Sequence, residues 1–513
     1  MKHVLATLAV ASLVLGAAAP AQASPSHGNT LERYARDTWA SLDAMTDPAT
    51  GLTADNIGGA LGPASRAAYT SPTNIGGYLW STVTARDLGI IAEDDARSRL
   101  TKTLAALSAI ERNPASGMFY NWYDPATGAK LTTWPDSGDE VKPFLSTVDN
   151  GWLAAALRIV RAAEPSLVAE ADALYDSMDF GAFFDPVPPA NLPAGTNRGG
   201  FWEAEPGGCS VRHPNYNGVG PEVFYTCHHY DTTVSESRIA TYLGISNGSL
   251  PPSALYGTFR TMPESCDWAW QEQRPSGVVR EYDGIPVYEG VYSYRGMSFV
   301  PSWGGSMFES LMPDLLVPEA EWGPRSWGLN HAITVAVQKA HGLDEAGYGY
   351  WGFSPASNPF GGYAEYGVDL AGIRSDGYPS DREASNADID RPGCSTGTNP
   401  TPSYGDGVVT PHASFLALPY DRKGALKNLS RIEKKLGGYG PGGFYDAIAT
   451  RSGTVAERYL SLDQSMIMAA IGNELSDDSL KHYFVDAEME QRLRPLIEAQ
   501  VFGSNWGSVR PPR

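Results

Sequence analysis

The sequence predicts an all-α protein, one closed ring of helix pairs with long aromatic-rich loops and minor β hairpins. Three observations lead there. Amphipathic stretches of medium length recur in pairs along most of the chain. Two-residue alternation is weak and local, at residues 277–282 and 288–292. No low-complexity linker divides residues 24–513, so one ring suits them better than two domains.

The chain opens with an export signal over residues 1–23. Lys2 and His3 form a short charged start, residues 4–19 are apolar and small, and Ala21-Gln22-Ala23 is a small-residue cleavage motif. The apolar run is too short for a comfortable membrane span. The mature chain is expected to start near Ser24 and to work outside the cytoplasm, in an extracellular or periplasmic space.

The first predicted helix covers 30–45, with Leu31, Tyr34, Ala35, Trp39 and Leu42 on one side. Ser71-Pro72-Thr73-Asn74 opens the second, which runs to about residue 86. The third spans 93–112. The fourth, 146–163, has the cleanest stripe: Trp152, Leu153, Ala156, Leu157 and Val160. A fifth follows at 166–178, then a loop-rich region to 230. The stretch 230–251 starts with Asp231-Thr232-Thr233, carries Val234, Ile239, Tyr242 and Leu243, and stops at Gly244 and Gly248. That pattern predicts a helix with Glu236 in its first turns. After a Gly-, Pro- and aromatic-rich segment, helices are expected at 306–315, 322–341, 410–417, 425–436, 463–473, 476–484 and 487–500.

Composition excludes some partners. The chain has 38 basic and 58 acidic residues, a net charge of -20, which disfavours nucleic acid and anionic membranes. The 13 Trp and 26 Tyr suit sugar rings and cores alike. Four cysteines in an exported chain predict two disulfides, taken as Cys209 with Cys227 and Cys266 with Cys394. Their spacings are not those of zinc ligands. His228 and His229 have no carboxylate at helical spacing to complete a metal site. Asp381, Glu383, Asp388 and Asp390 lack a calcium-loop motif and suit a solvated loop. No cofactor or metal is expected, and the chain is expected to be a monomer.

Nine segments, in order, carry a resemblance. They are Thr70–Gly76 with Ala85–Gly89, Tyr120–Asp124, Ser146–Gly151, Ser235–Ala240, Ser302–Pro313, Tyr350–Ser354, Val408–Ala413, Gly443–Ala447 and Tyr459–Ser465. Together, over about residues 31–502, the chain resembles the glucoamylase-like domain of glycoside hydrolase family 144, the endo-β-1,2-glucanases. It resembles still more closely the transglycosylase domain of cyclic β-1,2-glucan synthases. The resemblance implies an (α/α)6 toroid and chemistry on a β-linked glucan. It implies catalytic carboxylates at Glu236 and Glu309, with Asp149 and Asp463 as further acidic candidates. The acidic stretch 354–390 and the Cys209–Cys227 loop depart from the family and bear on linkage specificity.

Elementary chemistry agrees with that set. Glycosidic cleavage needs an acid for the leaving oxygen and a carboxylate that attacks the anomeric carbon or activates water. Glu236 is either a charge favoured by the helix start or such an acid. Glu309 sits in the apolar run 307–312, where a charge is costly unless paired or functional; the alternative is the solvated face of a short helix. Asp149 suits a cap or salt bridge equally, and Asp463 an N-cap. Trp122, Tyr123, Trp303, Trp351, Phe353 and Tyr363 are candidates for sugar stacking, with core packing as the alternative. Asn121, Arg238 and Gln464 are candidates to bind sugar hydroxyls. The substrate class so predicted is a poly- or oligosaccharide; the alternatives are a transglycosylase or hydrolase on another cell-wall or extracellular glycan, and a carbohydrate-binding protein without catalysis.

Overall fold

A computed structural model describes residues 27–189, 192–262, 271–373 and 404–511. The expected Cys266–Cys394 pairing, the expected export signal and the acidic residues 381–390 lie outside the described residues.

The helices are α1 (His27–Met45), α2 (Pro72–Asp87), α3 (Glu93–Ala109), α4 (Thr147–Ala163), α5 (Val168–Tyr175), α6 (Arg238–Asn247), α7 (Met307–Leu311), α8 (Glu319–Trp322), α9 (Trp327–Ala340), α10 (Pro411–Leu416), α11 (Leu418–Lys435), α12 (Ser461–Leu475), α13 (Ser479–Phe484) and α14 (Ala487–Ala499). They build an (α/α)6 toroid. Helices α12, α2, α4, α6, α7 and α10 form the inner ring: α2 packs on α12 and α4, α4 on α6, and α10 on both α7 and α12. Outside them, α1 covers α12, α3 covers α2, α5 covers α4, α14 covers α6, α9 covers α7 and α11 covers α10.

Sequence decides which helix goes inside. In α2 every residue from Pro72 to Ala85 is buried, including Thr73, Asn74, Ser81, Thr82 and Thr84. A helix buried all round needs no polar face, and α2 has none. The outer helix α11, LPYDRKGALKNLSRIEKK, buries Leu418 at its start and then turns only a narrow stripe inward: Ala425, Leu426, Asn428, Leu429 and Ile432. The inner crossings are close. A Cβ on Gly76 would lie 3.0 Å from the Trp152 carbonyl of α4, and one on Gly77 would lie 2.4 Å from Ser465 Oγ of α12.

Serines start three of the inner helices as the sequence suggests. Ser71 accepts from Asn74 N, Ser146 from Asp149 N and Ser306 from Glu309 N. The helix expected over 230–251 is shorter and starts at Arg238. Its first residues are committed elsewhere: Thr233 N donates to Phe259 O, and Thr232 bridges to Phe259. Glu236 therefore sits in the turn before the helix rather than in its first turns.

Short hairpins fill the loops. Strands Phe144–Ser146, Gly200–Trp202, Val223–Thr226 and Ser210–His213 form one antiparallel sheet in that order. The Cys209–Cys227 disulfide closes its last hairpin. A second device recurs four times. In 47–51, 113–117, 124–128 and 134–138, a residue followed by proline starts a tight turn that a glycine ends. Each time the glycine N–H donates to the first residue's carbonyl, at 2.8–2.9 Å. The glycines Gly51, Gly117, Gly128 and Gly138 all hold φ near +73° to +76° or +72°, a conformation other residues rarely adopt.

Candidate active site

At one mouth of the ring lies a cleft of about 450 Å³. Its lining draws on α2, α4, the turn before α6, and loops. Glu236, Asp149, Trp152, Thr73, Trp122 and Tyr363 all reach it, as do Asp55, Tyr69 and Trp134.

Glu236 lines this cleft, and Glu309 meets Glu236 from beside Phe308, which also lines it. The main-chain N–H of Glu236 donates to Glu309 Oε2 at 2.8 Å. The Trp152 indole N–H donates to Glu236 Oε2. Both carboxyl groups are largely enclosed, and burial comes first among the causes that raise them. Glu236 is pushed well above the usual carboxyl range by burial, then by the Glu309 charge, against the Trp152 bond that favours its ionised form. Glu309 is raised by burial to about 7, opposed by the Glu236 N–H and by Ser235. Two acids differing in environment, one held protonated more firmly than the other, suit the pair of roles that glycoside cleavage requires.

Asp149 is held as a fixed acceptor beside them. Thr73 Oγ1 donates to its Oδ1 at 2.7 Å. With the Asn121 amide oriented to donate, its nitrogen lies 2.7 Å from Asp149 Oδ2, and its oxygen accepts from Trp122 Nε1 at 3.3 Å. Asn121 thus orients Asp149 and Trp122.

A second acidic group stands behind Tyr363. Asp463, in the first turn of α12, makes no capping bond. Its Oδ2 lies 2.8 Å from His412 Nδ1, and it shares a hydrogen bond with Asp446. Burial raises Asp463 to about 7 and, with the Asp463 charge, Asp446 well above the carboxyl range. Burial lowers His412 to about 4, so it is neutral at pH 7. The two aspartates therefore hold a proton between them near neutral pH. Asp55, on the cleft wall, is bonded by Asn74 Nδ2 and Asn56 Nδ2, each at 2.9 Å.

Several expected contacts lie elsewhere. Tyr123, Trp351, Phe353 and Gln464 are buried in the core. Tyr123 Oη donates to Glu111 O. Phe353 N–H donates to Gln338, Asn428 Nδ2 to the Trp351 carbonyl, and Gln464 Nε2 to Phe444 O. Their ring and amide surfaces serve packing, which competes for the same residue types. Trp303 packs on Phe259, Met262 and Ile373. Arg238 is buried and turned from the cleft to Glu319, at 2.6 and 2.9 Å, instead of to Asp149 or Asp231.

Sequence reasoning missed Asp55, Tyr69, Trp134, Asp446 and Glu319. Trp134 had a signal: it stands alone in the polar run 132–140, where no core exists for it. There Trp134 packs on Tyr69 and Trp122, with ring centres 4.7 and 5.2 Å away. Glu319 also belongs to a compact group with Asp314 and His331, whose ligand-type atoms lie within 4.8 Å of one another. Arg238 and Tyr242 already donate to its two oxygens, at 2.6–2.9 Å, and His331 Nε2 lies 3.0 Å from Oε2. That arrangement is a charge network around Arg238.

Comparison with known proteins gives this geometry a setting. A cyclic β-(1,2)-glucan synthase, NdvB of Rhizobium meliloti, is 24% identical over 569 residues; the match covers 91% of this chain and 18% of that protein. The endo-β-1,2-glucanase of Chitinophaga pinensis, solved with sophorotriose and glucose, superposes with a TM-score of 0.61 at 16% identity, covering 92% of this chain and 98% of the other. The β-1,2-glucanase of Parabacteroides distasonis gives 0.63 at 14%, covering 94% and 61%. A family of unknown function, DUF3131, matches residues 33–184. The family described as putative glucoamylase matches residues 228–487, just over half of the chain and a span that takes in Glu236, Glu309, Asp446 and Asp463; this protein belongs to that family.

Proposed function

We propose that the protein is an exported glycoside hydrolase that cleaves β-1,2-glucan or its oligosaccharides, with Glu236 and Glu309 as the reacting carboxylates. The observation that carries the reading is the Glu236–Glu309 contact beside an aromatic-walled cleft, with both acids raised by burial. The β-1,2-glucan linkage rests on the relatives named above, which are described as β-1,2-glucanases and a β-1,2-glucan synthase. Export rests on the residues 1–23 and on the Cys209–Cys227 disulfide, which fits an oxidising space. No helix among the described residues is long and apolar enough to cross a membrane.

In this reading Glu236 gives its proton to the glycosidic oxygen as the bond to the anomeric carbon breaks. Glu309, ionised, either attacks that carbon or takes a proton from water. Asp149 and Trp122, fixed through Asn121, orient the sugar. Tyr69 and Trp134 extend the wall on which further rings stack. The synthase relative supports a second outcome: if Glu309 forms a covalent glycosyl intermediate, a sugar hydroxyl in place of water completes a transglycosylation.

The test is incubation with a panel of glucans of different linkage, followed by separation of the products. β-1,2-glucan should be degraded to short oligosaccharides, and Glu236→Gln should not degrade it. Activity confined to another linkage, or no cleavage at all, refutes the reading.

A further inference from the structure

We infer that Arg238 and Glu319 are a positioning pair, which locks the segments of Glu236 and Glu309 together and keeps an uncompensated positive charge away from them. The inference rests on the reading of Glu236 and Glu309 as reacting carboxylates.

The guanidinium of Arg238 has five N–H donors, and five acceptor contacts use them. Nε donates to Glu319 Oε1 at 2.6 Å and Nη2 to Glu319 Oε2 at 2.9 Å. Nη1 donates to Ser235 O at 2.7 Å and to Glu309 O at 3.0 Å, and Nη2 to Ser310 O at 2.7 Å. Ser235 directly precedes Glu236. One planar group therefore grips the main chain on both sides of the pair, and the Trp327 ring, 4.5 Å from its carbon, covers it. No ammonium can match that fork.

Glu319 supplies the opposite charge with a fully buried side chain. Burial alone would raise it; the Arg238 charge and hydrogen bonds, with His331, outweigh burial and hold it at about 2. Tyr242 Oη donates to Oε1 and His331 Nε2 lies 3.0 Å from Oε2. Asp314 faces the same group, with Tyr420 bonded to it and Lys481 beyond. An ion pair this deeply buried is a weak source of stability, since apolar residues of similar volume often replace one at no loss. Its worth here is geometric and electrostatic. Glu236 is faced by Glu309, Asp149, Tyr230 and Arg238, with the Trp152 indole N–H bonded to it. Among these Arg238 alone is cationic, and Glu319 cancels it. Losing that cancellation favours ionised Glu236.

The test uses the full chain on β-1,2-glucan with three variants and a control. The double variant Arg238→Met/Glu319→Leu removes the pair without leaving a lone buried charge. It leaves the Ser235, Glu309 and Ser310 carbonyls without their donor, so its Tm should fall, and in the folded protein kcat should fall about 100-fold or more while KM stays within a few-fold. Arg238→Lys keeps the charge but not the fork, so kcat should fall at least ~10-fold with the pH profile in place. Glu319→Gln should move the alkaline limb of the kcat/KM profile to lower pH by about one unit. A folded double variant with kcat within threefold of the parent overturns the proposal, as does an unmoved limb in folded Glu319→Gln. The control separates the two readings. If Glu236→Gln stays active, the assignment of the carboxylates fails. If Glu236→Gln is inactive while the positioning variants match the parent, only this inference fails.

Discussion

The main-chain N–H of Glu236 points at a side-chain oxygen of Glu309, 2.8 Å away. The bond joins residues 73 positions apart, so α7 and the turn before α6 cannot shift separately without breaking it. It also favours ionised Glu309 over ionised Glu236, because Glu309 accepts the N–H. The expected division of labour follows: Glu236 as the acid, Glu309 as the nucleophile or base.

Glu236→Gln should therefore lower cleavage of the natural glucan by at least ~10²–10⁴-fold, the usual worth of general acid–base assistance. A substrate with an activated leaving group needs less protonation. Glu236→Gln should recover much of the bond-breaking rate on it, and Glu309→Gln should not. Steady-state rates of both variants on both substrates check this. Rescue of Glu309→Gln alone would exchange the roles.

The pH profile of kcat/KM should be bell-shaped. Its acid limb lies near pH 7, where Glu309 ionises, and its alkaline limb lies above, where Glu236 loses its proton. The values belong to the pair as a unit. A profile with its acid limb near pH 4 would contradict the burial argument.

Stability carries the matching sign. Glu309 has a folded pKa of about 7 against about 4.3 unfolded. Its contribution is fully present below about pH 4.3 and is lost as pH rises through 7. Glu309→Gln should therefore raise Tm more at pH 8 than at pH 4, by the equivalent of about 1–3 kcal/mol. Glu319, held at about 2, runs the other way: its contribution is present above about pH 4.3 and is lost as pH falls through 2. Thermal melts across pH 3–8 test both.

Trp134→Ala should weaken substrate binding and leave the chemistry largely intact. Aromatic contacts are worth about 0.5–1.5 kcal/mol, so KM should rise roughly 3- to 10-fold with kcat within twofold. Kinetics on long and short oligosaccharides would check it. An equal fall in kcat would place Trp134 at the reacting ring instead.

At the crossing of α2 and α12, Gly77→Val should destabilise by about 1–3 kcal/mol, because overpacking a tight core forces its neighbours apart. Ser465 Oγ stands where the first added carbon would go. Chemical denaturation measures the loss, and an unchanged midpoint would mean that α12 yields freely.

The ring was legible in the sequence where chemistry is local. Serine caps at 71, 146 and 306 and the stripe on α4 are short-range signals. The α6 start was not, because the partner of Thr233 is Phe259, 26 residues away. The site was partly legible. Glu309 stood out as a charge among apolar neighbours, and Glu236 by its motif. Trp351, Phe353 and Gln464 carry the same residue types as a sugar contact, and only packing separates the two uses. Asp446 and Glu319 gave no local sign, since their partners lie on other helices.

The repeated turns at 47–51, 113–117, 124–128 and 134–138 separate two inheritances. Three of them are packed on neighbours, Gly51 on Thr103 of α3, Gly117 on the Ser177 carbonyl and Gly128 on Ile110, whereas Gly138 faces open space, so the turn at 134–138 can be lengthened without disturbing how the helices cross. The last of them presents Trp134 to the cleft. If the cleft binds glucan as proposed, its reach is a quantity that insertions in this last turn adjust, while Glu236 and Asp149 stay where the helices put them. Relatives on the same scaffold would then differ in the chain length they accept before they differ in the bond they break.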